Sequence, residues 1–156
     1  MSRNPKRALR VFLSSPVHQW EHGEPADWFH KWGIRPDPCG LFLAFKAVNG
    51  DGRSARGTLY REGCVTVDRS WDARPGTGGV YLAPTPMHAK RFASTPDFVH
   101  RYPGITPTVV MVAVPADRVR WEWARPTQVR AEWCWTVGEV VDHGEDSDVW
   151  SVSRHG

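Results

Sequence analysis

Short apolar runs alternate along this chain with dense turn signals, a spacing that predicts many short strands and few helices. Residues 9–15, LRVFLSS, read as a first strand. EPADWFHKWG predicts a short helix: Pro25 suits the first turn, Asp27 falls early, and Gly33 stops it. Trp28 and Trp32, four apart, share one face of that helix. LFLAFKAV (41–48) is apolar except for Lys46, the pattern of a buried strand, and NGDG after it is a turn. Short strands follow at 57–60 and 64–68, then a long loop, RSWDARPGTGG. GVYLA (79–83) reads as a strand. TPMHAKRFAS (85–94) reads as a helix with Thr85 as N-cap and Pro86 in its first position. TPDFVHRYPGITP reads as a loop, and TVVMVAVP (108–115) as a buried strand.

The last third of the chain alternates residue by residue. In RVRWEWA, Val119, Trp121 and Trp123 oppose Arg118, Arg120 and Glu122, a half-exposed strand. Residues 128–141 read as one continuous strand. Val129, Ala131, Trp133, Trp135 and Val137 form its core face, and Gln128, Arg130, Glu132, Cys134 and Thr136 the other. DVWSVS closes the series. The sum is an α+β domain, mainly antiparallel, with about eight strands in one or two packed sheets and two or three short helices. At 156 residues the chain fits one domain. Residues 1–40 read as an N-terminal extension carrying the Trp-rich helix, and 41–156 as the core.

Composition narrows the function classes without choosing among them. A net charge of +3 permits an anionic partner, but the basic residues are scattered. Their densest cluster, RNPKRALR, reads more simply as a solvated arm than as a nucleic-acid hook. Three cysteines, Cys39, Cys64 and Cys134, stand far apart with no CxxC, which argues against a disulfide framework or zinc knuckle and for a reducing cytoplasm. No run reaches the ~18 apolar residues of a membrane helix. His18 and His22 have metal-ligand spacing only on a helix that Gly23 and Pro25 discourage, so no metal site is expected.

Four places could carry chemistry. On the polar face of 128–136, Glu132 beside Arg130 could stabilise a developing cation, or could make a cross-strand ion pair on a wet face. Lys46, a charge in an apolar strand, must snorkel, pair or face a cleft. Gly78 and Gly79 allow backbone conformations other residues resist, just before Tyr81; this suits either a ligand or a plain loop–strand–helix joint. Thr85 opens a helix whose free N–H groups could meet a phosphate, with His88 one turn on.

The order FLAFKAV, GTLY, GGVYLAPTPMHAKRFA, a core strand and a late strand carrying Glu resembles the ADP-ribosyltransferase superfamily over roughly residues 41–141. It is also similar to small uncharacterised domains of phages and bacteria. The superfamily resemblance implies an ADP-ribosyltransferase-like fold with NAD as co-substrate, and transfer of ADP-ribose or NAD glycohydrolysis in a cleft around Lys46, Tyr81 and Glu132. Glu132 would stabilise the ribosyl cation and Lys46 would pair the phosphates or ribose edge. Tyr81 would stack on nicotinamide beside Gly78 and Gly79, with Thr85, His88 and Arg130 as further NAD-binding residues. Three positions depart from that pattern. Lys46 stands where Arg or His is usual, the late motif is Arg-x-Glu, and no Ser-Thr-Ser element is present. The alternative expectation is a non-catalytic accessory protein of phage or bacterial type, binding a host protein or a nucleic acid through tryptophan and arginine.

Overall fold

The computed structural model describes residues 25–71, 78–121, 125–142 and 150–153. The expected strand at 9–15, His18, His22, Trp123 and the basic N-terminal cluster lie outside these residues.

Among the described residues, two antiparallel sheets and three helices make an α+β fold. The larger sheet is built on β1 (Leu41–Val48), which pairs along its whole length with β4 (Thr108–Pro115). Then come β7 (Trp133–Asp142) and β2 (Val65–Val67), with β8 (Trp150–Ser153) also on β7. The smaller sheet has the order β3 (Val80–Leu82), β6 (Val129–Ala131), β5 (Val119–Arg120). Strands of alternate phase explain the layering. Phe42, Ala44, Val112 and Val114 point from the larger sheet into one core, where they meet Leu82, Val119, Val129 and Ala131 of the smaller one. Phe45, Ala47, Val109 and Met111 point the other way. There they are covered by α2 (Pro86–Phe92) and α3 (Pro96–Arg101).

The first helix, α1 (Pro25–Lys31), is part of the main core. Trp28 and Phe29 are fully buried, and Phe29 stacks on Phe42 with centroids 4.2 Å apart. The shared face expected of Trp28 and Trp32 converges on one acceptor. Both indole N–H groups donate to Pro126 O, at 2.9 and 3.1 Å. The segment assigned to an extension thus supplies some of the largest buried side chains, because a Trp pair with a common acceptor cannot be left in water at low cost.

Two sequence expectations are corrected. The stretch after residue 94 is not all loop. Thr95-Pro96 repeats the Thr-Pro start of α2 and opens α3, whose Phe98 is buried. The alternating stretch 128–141 is not one strand. It changes sheets at Glu132, which lies in neither strand. Glu132 N donates to Arg118 O at 3.0 Å and its carbonyl accepts from Asp68 N at 2.9 Å, so the chain turns there from one sheet to the other. The phase inverts across this turn: Cys134 and Thr136 are buried while Trp135 is 42% exposed. No helix among the described residues is long and apolar enough to cross a membrane.

Candidate functional site

The two edges of β1 differ. One is fully paired with β4. The other meets the end of β3 through a single bridge, Phe45 to Ala83, with reciprocal N–H···O bonds of 2.9 and 2.8 Å. Past Phe45 the two chains part, and Lys46 is the first residue beyond the bridge. A cavity of about 670 Å³ opens at this place. Its walls come from β1, the 54–60 turn, the 67–70 segment, β3 and the ends of α2 and α3.

Lys46 lies on the phase of β1 that faces the main core, and its Nζ donates to Tyr81 O at 2.8 Å. The Tyr60 ring is 5.7 Å from the ammonium. Part of the residue's surface stays open, but the charged end is enclosed. Desolvation lowers its pKa to about 8; nearby Cys134 opposes this and Arg56 adds to it. The same burial holds the Tyr60 hydroxyl protonated far beyond its usual range and pushes the Cys134 thiol up to about 12. Arg56 lies 5.2 Å above the Tyr81 ring, so a cation already covers one aromatic face. Arg69, Asp68 and Asp97 complete the charged lining. Asp68 Oδ1 accepts from Ser70 N at 2.8 Å and from the Ser70 hydroxyl at 2.5 Å. Those bonds, with another from the Gly79 amide, hold its carboxyl below the usual range. A shallower groove continues past Arg56 to His100 and Arg101.

The cavity therefore brings together Lys46, Tyr81 and Gly79 of the residues expected from sequence. Gly78 and Arg130 stand next to it. Arg130 pairs across the small sheet with Tyr81, is 2% exposed, and donates from Nη1 to Gly78 O at 3.1 Å.

Thr85, His88 and Glu132 are not among the lining residues. Thr85 Oγ1 is committed to its own helix, where it accepts from His88 N at 3.1 Å and lies 2.6 Å from His88 Nδ1. His88 packs edge-on against Trp32, centroids 5.0 Å apart. The Glu132 carboxylate is 3.4 Å from Arg118 Nη1, an ion pair between the turn where the chain changes sheets and the residue before β5, not the expected cross-strand pair.

Of the two roles left open for the glycine pair, close packing at the joint is visible in the backbone. Gly78 and Gly79 have φ of +58° and +99°. A Cβ on Gly78 would lie 2.1 Å from Ser70 O, and one on Gly79 would lie 2.7 Å from Trp71 Cδ1 and 2.9 Å from Ala131 O. The space beside them is filled by the 68–71 turn, so their small size first serves packing of the cavity wall.

Sequence reasoning missed Arg56, Tyr60 and Asp68. Arg56 sits in a turn, the strand expected at 57–60 is only the single bridge of Leu59 to Arg53, and Asp68 follows the end of β2. The Asp68–Ser70 spacing, typical of a side-chain-closed turn, was the one available signal. No family model matches this chain, and neither the curated proteins nor the solved structures contain a match.

Proposed function

We propose that the split between β1 and β3 is a dinucleotide-binding cleft, that its ligand is NAD, and that the fold is ADP-ribosyltransferase-like. One observation carries this reading: an enclosed ammonium, two arginines and two tyrosines line one cavity with two aspartates, Asp97 and Asp68, the latter held ionised by its hydrogen bonds. The cations match the two charges of a pyrophosphate, and the aromatic walls match nucleobase or nicotinamide rings. At about 670 Å³ the cavity falls within the usual range for small-molecule sites.

The chemistry such a site would support is scission of the nicotinamide–ribose bond. The C1′–N bond breaks, its electron pair returns to the ring nitrogen, and a water or acceptor hydroxyl oxygen attacks the cationic carbon and loses its proton to solvent. A carboxylate facing that carbon lowers the barrier. Of the lining carboxylates Asp68 and Asp97, Asp68 is the one its hydrogen bonds hold ionised, whereas Glu132 is turned to Arg118. Lys46 and Arg56 would hold the phosphates.

The Glu132–Arg118 pair favours a second reading, in which the chain binds its ligand or a host partner without cleavage. Release of nicotinamide from NAD, followed by chromatography, separates the two. The enzymatic reading expects release by the wild type, loss in Asp68→Asn and retention in Glu132→Gln. Binding without any release leaves the binding-module reading. A nucleic-acid partner would show itself as binding that weakens steeply with salt.

A further inference from the structure

We propose that Lys46 is a reactive amine, built to form a reversible imine with a small aldehyde that carries an anionic group. The inference goes beyond the NAD reading and does not depend on it. Three features of the cavity support it. The Lys46 Nζ is enclosed there with one hydrogen bond, to Tyr81 O, and among the described residues no carboxylate forms an ion pair with it. The groups around it are the Tyr60 ring, Cys134 of β7, Arg56 and, elsewhere in the lining, Asp68, Asp97 and Arg69. Of these, Tyr60 and Cys134 keep their protons well above neutrality, so neither supplies a counter-ion. An ammonium so placed loses its proton more readily than an exposed lysine does, and the free amine is the nucleophile. Arg56 and Arg69 in the same cavity supply the positive field that would hold a phosphate or carboxylate on the incoming aldehyde.

The step balances without any further reagent. The nitrogen lone pair attacks the carbonyl carbon and the carbonyl π pair moves to oxygen. One proton passes from nitrogen to that oxygen. The resulting carbinolamine then takes up a proton on its hydroxyl and loses water, leaving a protonated C=N bond. Hydrolysis reverses it.

The test uses the full chain, pyridoxal 5′-phosphate as the aldehyde probe, borohydride to fix the imine, and peptide mapping by mass spectrometry. Lys31 and Lys90, both exposed, serve as internal references. The expected result is preferential labelling of Lys46, at least tenfold faster than either reference at neutral pH, with a rate that climbs up to about pH 8 and then levels. Arg56→Ala should slow that labelling, while pyridoxal without its phosphate should label wild type and Arg56→Ala alike. Labelling spread evenly over the lysines, or an unlabelled Lys46, overturns the proposal. The mapping needs only the wild-type chain, so a variant that fails to fold does not spoil it. Excess NAD should protect Lys46 where both readings hold. Fast Lys46 labelling without protection keeps the amine site and removes NAD from the cleft.

Discussion

The two edges of β1 carry the same backbone groups and come to opposite ends. Against β4, all eight residues from Leu41 to Val48 find partners, and the side chains on both faces are sealed into two cores. Against β3, pairing stops after Phe45 and Ala83, and a cavity with a buried cation takes the place of the missing ladder. The closed edge is made by residues that gain stability from burial. The open edge is made by residues that burial penalises: an ammonium stripped of water, and glycines in left-handed conformations. Such spending of stability at one place is the usual physical mark of a site.

The largest effect should come from breaking the wall of the open edge. Gly79→Val places a branched side chain where even one Cβ falls 2.7 Å from Trp71, at a φ that β-branched residues resist. A loss of about 3 kcal/mol or more in denaturant midpoints is expected, with ligand binding lost too. On the closed edge, Phe42→Ala removes the ring stacked on Phe29 and should cost about 3–4 kcal/mol. The surviving folded protein should bind its ligand with unchanged affinity. A fall in affinity as large as that of a cavity variant would erase the distinction between the edges.

Lys46→Met should act with the opposite sign. It removes an enclosed charge, offset in part by the lost bond to Tyr81 O, so stability should rise by roughly 1 kcal/mol near neutrality while anion binding falls tenfold or more. The pH dependence follows from the same group. Between about pH 8 and the ordinary lysine value of 10.5, the unfolded chain holds the proton that the folded chain has released. Stability from Lys46 therefore rises with pH through that window, and Lys46→Met should lack the rise in urea titrations. The smallest effect belongs to Asp68. Its carboxyl is held below the usual value, so its contribution is present above about pH 4 and fades as acid protonates it. Asp68→Asn should flatten the acid limb of the stability profile slightly.

The sequence carried much of this architecture. The run 41–48 was readable because a strand buried on both faces is apolar throughout, and 108–115 for the same reason. Lys46 announced itself because a lone charge in such a run needs a physical excuse. Thr85 was readable as a cap but not as an occupied one, since the reach of its hydroxyl to His88 depends on a rotamer. The change of sheet at Glu132 was hidden, because alternation continues through it in the letters even as the chain turns. Arg56 and Asp68 were hidden more deeply: they meet Lys46's cavity through turns whose position depends on where β1 and β3 part.

The most direct test is calorimetric titration of NAD into the wild-type chain and into Lys46→Met, with the fold of each checked by thermal melting. Binding to the wild type is expected, and its loss in a variant that melts no lower. Absence of heat from the wild type at millimolar NAD, or equal binding by both, would contradict the claim that the open edge of β1 is a nucleotide site.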